Sequence, residues 1–195
     1  MQTRIALLAA SALVVLAATG FAQQPEVDKL QARITSFKGA VFAWKGDYSK
    51  AITILDEAIR LDPQDANAYY NRGVSYVHKG NLDKAIADFG QTIRLDPDRA
   101  DAHLCRGFSY ALNDNINEAI ADLTQTIRLK PQDAITHYLR GISNMYKGDL
   151  DKAVADLSQA IRLKPDFVEA YRDRGFAYAM KGDTDKAIAD GTEAH

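Results

Sequence analysis

One phrase recurs along the chain at a fixed interval: LDKAIADFGQTIRLDP from Leu82, INEAIADLTQTIRLKP from Ile116 and LDKAVADLSQAIRLKP from Leu150. The period is 34 residues, and it also relates Gly39, Gly73, Gly107, Gly141 and Gly175, as well as Pro63, Pro97, Pro131 and Pro165. Self-similarity at such a period predicts an array in which each copy packs against its neighbours. The repeats are placed at 32–65, 66–99, 100–133 and 134–167, with an incomplete one at 168–195 and a linker or helix start at 23–31.

Within a repeat the apolar residues recur at helical spacing, which predicts an all-α fold. The second repeat carries Tyr69, Gly73, Tyr76 and Val77 on one helical stripe and Leu82, Ala85, Ile86, Phe89 and Ile93 on another. Gly80 and Asn81 between them read as a left-handed cap followed by the N-cap of the next helix. Gly46-Asp47, Gly148-Asp149 and Gly182-Asp183 repeat that arrangement, and Asp114-Asn115 stands in for it in the third repeat. Asp and Asn tolerate the left-handed conformation better than most residues. A Leu-Asp-Pro or Leu-Lys-Pro closes each second helix.

A glycine in mid-helix costs about 1 kcal/mol against alanine, and the chain accepts that cost at the same place in all its repeats. Close approach explains it: a side chain at these glycines would prop apart the two helices of the pair, as would one larger than alanine at Ala51, Ala85, Ala119, Ala153 or Ala187. Arg72, Arg106, Arg140 and Arg174 immediately precede the glycine, and Asp88, Asp122, Asp156 and Asp190 recur in the second helices. The first repeat has Lys38 and Ile54 instead, lacking both. Because the two residue types appear and vanish together, each Arg is expected to pair with the Asp of its own repeat, fork to carboxylate.

The pattern of Tyr69, Gly73, Tyr76, Ala85, Phe89 and Pro97, repeated in register from Ala32 onward, resembles the tetratricopeptide family. That resemblance implies a right-handed superhelical solenoid of antiparallel helix pairs, with first helices lining a concave groove. Transferred onto this sequence, the groove-lining residues are Tyr70, Asn71, Val74, Val77, Leu104, Phe108, Ala111, Tyr138, Ile142 and Met145. An apolar trough with tyrosines suits an extended segment or helix of another protein. Some relatives grip a terminal carboxylate with a lysine and asparagines in the groove. Here only Asn71 matches, while Ser36 and Ala40 replace the first-repeat residues, so that mode is not expected.

His103 and His137 stand where Tyr69 and Tyr171 stand in other repeats, which points to ring packing rather than metal binding. No phosphate loop, paired-cysteine motif or nucleophile with a base is present, so neither catalysis, a cofactor nor a metal is expected. With 24 basic and 26 acidic groups, the charge balance does not favour nucleic acid.

The first 22 residues differ in kind: Arg4 is followed by the uncharged run from Ile5 to Thr19 and by Gly20-Phe21-Ala22. A basic start, a short apolar stretch and small residues predict a signal peptide cut between Ala22 and Gln23, leaving a periplasmic or secreted protein without a stable membrane span. Cys105 is the single cysteine and reads as a small apolar filler. At the other end Gly191 replaces a large apolar residue and is expected to weaken or end the last helix. Two functions are consistent with these features: an adaptor holding a segment of an envelope protein in its groove, or a structural spacer that self-associates through its C-terminal edge.

Overall fold

The computed structural model describes residues 24–193, so the expected signal peptide and the expected cut between Ala22 and Gln23 lie outside the described residues. Among the described residues the chain is helical, with α1 Gln24–Trp44, α2 Tyr48–Leu61, α3 Ala66–His78, α4 Leu82–Leu95 and α5 Ala100–Leu112, then α6 Ile116–Leu129, α7 Ala134–Lys147, α8 Leu150–Leu163, α9 Val168–Lys181 and α10 Thr184–Glu193. Residues 24–31 belong to α1, which is therefore longer than the first helices of later repeats. Contacts divide the chain into two compact units, one ending at Pro97 and one beginning at Asp98.

The turn inside each repeat follows from its residues. Gly80 has φ +72°, and the amides of Gly80 and Asn81 donate to the Val77 and Tyr76 carbonyls at 2.9 Å each, closing α3. Asn81 then accepts from the Lys84 amide at 3.3 Å to open α4. In the third repeat Asp114 adopts φ +59° and makes the same closure, with the Asn115 amide reaching the Tyr110 carbonyl at 2.9 Å. Asp65 and Asp133 cap α3 and α7 through the amides of Asn67 and Thr136.

The repeat glycines are buried where the helices of a pair cross. A Cβ on Gly73 would lie 2.9 Å from Phe89, one on Gly141 would lie 2.9 Å from Leu157, and one on Gly39 only 2.5 Å from the branch point of Leu55. The large apolar side chain of the second helix thus lies directly on the glycine. The alanine expected opposite contributes its backbone: the carbonyls of Ala119 and Ala153 lie 3.3 Å from the Cβ positions of Gly107 and Gly141. Ala51, Ala85, Ala119 and Ala153 are fully buried.

In the first unit Ala51, Leu55, Ala58 and Ala68 form a buried cluster supported by Phe42 and Ile59. In the second, Leu157, Ala160, Ile161, Phe167 and Ala170 join α8 to α9, with Tyr138, Ile142 and Tyr171 packed against them. Of the two outcomes expected at Gly191, an end to the helix is not seen: α10 runs on to Glu193. A Cβ on Gly191 would stand in open space, and one on Gly175 would meet the Ala187 carbonyl and the Asp190 Cβ, each at 3.3 Å, and the Gly191 amide at 4.0 Å, where other repeats set a leucine or phenylalanine.

Candidate functional site

The four Arg–Asp pairs close as forks. Nε and Nη2 of Arg72 donate to Asp88 at 2.8 and 2.7 Å, those of Arg106 to Asp122 at 2.6 and 2.8 Å, those of Arg140 to Asp156 at 2.9 and 2.7 Å, and those of Arg174 to Asp190 at 2.8 and 2.6 Å. The aspartates are buried and the arginines partly so. Hydrogen bonding to Asp122 holds the Arg106 guanidinium above its ordinary value, against the opposing effect of burial. At Arg72 burial opposes the charge, but the bonds and charges of Asp88, then Asp56, outweigh it.

The ring beside each pair departs from simple packing. Tyr69 and Tyr171 lie 5.6 Å from the guanidinium carbons of Arg72 and Arg174. His103 instead brings Nδ1 to 3.1 Å from Asp122 Oδ1. His137 makes a 3.2 Å contact from Nε2 to the Pro131 carbonyl, which can only accept, so the proton sits on Nε2. Its buried Nδ1 faces Asp156 Oδ1 at 3.6 Å. His103 is therefore a polar member of its Arg–Asp assembly as well as a packed ring, whereas His137 Nδ1 makes no hydrogen bond.

The residues expected to line a groove fall into both units. On α3, Tyr70, Val74 and Val77 are half-buried, the Tyr70 ring lies 5.8 Å from Phe89, and Asn71 donates to the Asn67 carbonyl of its own helix at 2.9 Å. On α5, Phe108 is exposed and Leu104 lines a cleft of about 580 Å³ with Ala100, Thr126 and the 130–133 loop, while Ala111 and Cys105 are half-buried. On α7, Tyr138 is half-buried: its hydroxyl donates to Asp173 on α9 at 2.7 Å and its ring lies 4.9 Å from Phe167. Burial and then the Asp173 bond push its phenol up to about 12. Ile142 packs on the same cluster and Met145 is half-buried.

What stands out to solvent in the second unit is a set the sequence reading passed over. Leu112, Tyr146 and Met180 are 53%, 78% and 53% exposed, and each lies one helical turn beyond Phe108, Ile142 and Phe176 respectively. The helices α5, α7 and α9 that carry them are neighbours. These exposed apolar side chains thus sit near the C-terminal ends of three successive first helices, and Ile135, in the first turn of α7, is exposed as well.

Comparison with known proteins places this architecture. The profile described as TPR repeat matches residues 39–80 and 144–182, and the one described as tetratricopeptide repeat matches 66–99. The chain belongs to the tetratricopeptide-repeat family. A crystal structure of MamA is 29% identical, with a TM-score of 0.78 over 80% of this chain and 91% of that one. MamA from Desulfovibrio magneticus RS-1 is 21% identical, with a TM-score of 0.80 over 84% of this chain and 92% of that one. YrrB, described as a TPR protein with an unusual peptide-binding site, is 23% identical, with a TM-score of 0.74 over 80% of each chain. No curated protein sequence matches significantly.

As a tetratricopeptide protein the chain has the fold class of an α-solenoid of helix pairs, which supports a protein-interaction scaffold. In tetratricopeptide register, Leu112, Tyr146 and Met180 share one position with Trp44 and His78, two residues before the residue that makes the left-handed turn. That recurrence was the available signal: Trp44, His78, Leu112, Tyr146 and Met180 are spaced by 34 residues.

Proposed function

We propose that this tetratricopeptide protein is a non-catalytic adaptor of the bacterial envelope, holding a peptide segment or helix of another protein against the first helices of its repeats. The observation that carries this reading is the exposed face of Phe108, Leu112, Tyr146, Phe176 and Met180 on α5, α7 and α9. Aromatic residues and Met are enriched where proteins meet, and a patch of this kind is rarely left bare without a role. YrrB, described as having a peptide-binding site, has this fold.

One further feature supports the reading: the N-terminal pattern of Arg4, the Ile5–Thr19 run and Ala22 suits export with a cut before Gln23. Among the described residues, no helix is long and apolar enough to cross a membrane.

The test is selection of peptides from a random displayed library on the protein, followed by affinity measurement against Tyr146→Ala and Phe176→Ala variants with unchanged helicity. The proposal expects the selected peptides to lose affinity for both variants. Peptides that bind the variants as tightly as the parent would refute it.

A further inference from the structure

Besides closing on its own Asp, the repeat Arg reaches back with Nη1 to the second helix of the preceding repeat. In the first unit that position is Asp56, whose carboxylate takes Nη1 of Arg72 at 2.6 Å. Two periods further on the same position is Thr124, whose Oγ1 takes Nη1 of Arg140 at 3.2 Å. Thr124 donates its own proton to the Ile120 carbonyl at 2.7 Å. It therefore offers Arg140 a neutral lone pair where Arg72 meets a full anion.

A second substitution at the same junction has the same sense. Lys181 at the end of α9 pairs with Asp151, thirty residues earlier, and Lys79 at the corresponding place reaches Ser49 at 2.7 Å. For Lys147 at the end of α7 the residue thirty positions earlier is Asn117, and among the described residues Lys147 acts on a carboxylate only through its charge on Asp149, which Lys152 already bonds.

Thr124, Arg140 and Lys147 line a single cleft of about 310 Å³ between α6, α7 and α8. The two acids in its wall are already engaged: Asp156 by the fork of Arg140, and Asp149 by Lys152 at 3.0 Å. The bond from Lys152 holds the Asp149 carboxyl below its usual range. The remaining charge is positive, and it lies where another repeat of this chain seats a carboxylate.

We propose that this cleft is an oxyanion-binding site, in which a carboxylate or phosphate group takes Nη1 of Arg140 and the Lys147 ammonium as Asp56 takes Arg72. The chemistry is that of a charge-assisted bond completed from outside the chain. A protein partner's acidic side chain and a phosphoryl group share it.

Inorganic phosphate and N-acetylglutamate are the probes, each titrated into the protein at fixed ionic strength with chloride as control, and followed by side-chain NMR signals of Arg140 and Lys147. Saturable shifts are expected with phosphate, and saturation by N-acetylglutamate as well would identify the carboxylate as the source. Thr124→Asp restores the internal carboxylate and is expected to abolish the response. Lys147→Ala is expected to weaken phosphate binding roughly fivefold, the loss of one half-exposed charge contact, with helicity unchanged. The proposal is overturned if neither probe shifts these signals beyond chloride, or if both variants respond as the parent does.

Discussion

Removing Asp122 isolates the contribution of an Arg–Asp pair. Its carboxylate takes Arg106 Nε at 2.6 Å, Arg106 Nη2 at 2.8 Å and lies 3.1 Å from His103 Nδ1. The Asp122 side chain is 8% exposed and that of Arg106 is 23% exposed. Stripping one partner from a fully buried pair costs about 3–5 kcal/mol, while an exposed pair contributes roughly 0.2–1 kcal/mol. Arg106 retains some access to water and can recover part of its hydration, so Asp122→Ala should cost about 2–3 kcal/mol. For a chain of this size that lowers the Tm by roughly 4–12 °C. Thermal unfolding by circular dichroism measures the loss, and amide exchange should show it concentrated in α5 and α6. Replacing both partners by apolar residues should be less harmful than losing Asp122 alone, because no uncompensated charge remains. The reasoning fails if Asp122→Ala is indistinguishable from Glu57→Ala, which breaks the exposed pair with Arg60.

Three other outcomes follow from the packing. Gly39→Ala should destabilise by about 1–3 kcal/mol, since its Cβ would meet the Leu55 branch point at 2.5 Å, whereas Gly175→Ala, with nothing nearer than 3.3 Å, should cost less; urea unfolding ranks them. Tyr138 binds its proton more tightly in the folded chain, so this stability is full below the unfolded value of about 10 and is lost as pH rises through about 12. Discounted for partial solvent access, that is about 1–2 kcal/mol, and spectrophotometric titration should show a late tyrosine signal, to which Tyr76 adds because burial raises it too, that Tyr138→Phe reduces. Sedimentation should show a mass independent of concentration; growth abolished by Ile188→Lys, which removes a 63% exposed side chain on α10, would instead favour the self-associating spacer.

The repeat fixes most of what is visible in the fold. Gly46, Gly80, Gly148 and Gly182 all have positive φ, and Asp114 adopts it in their stead, because the turn demands that conformation whichever residue occupies it. The Arg–Asp forks were legible because both residues are missing together from the first repeat. Their reach to Asp56, Thr124 and Ser158 was not, since that acceptor changes type from repeat to repeat. His103 was read as a ring because tyrosine shares its position, but an imidazole also carries nitrogens, and Asp122 lies within reach of one. The Tyr138 bond is not legible in the repeat, because it depends on Asp173, which no repeat pattern distinguishes. The exposure of Leu112, Tyr146 and Met180 is not legible in the stripe through Tyr70, Val74 and Val77, which stops one residue short of their position.

The central claim is that the exposed face of α5, α7 and α9 receives a protein segment. Hydroxyl-radical footprinting of the protein with and without a selected peptide tests it most directly, because Tyr146, Phe176 and Met180 are both reactive side chains and well exposed. The account predicts that these three become protected on binding while Arg128 and Arg162, exposed on the second helices α6 and α8, do not. Protection confined to the second helices, with Tyr146, Phe176 and Met180 as reactive as before, would contradict it.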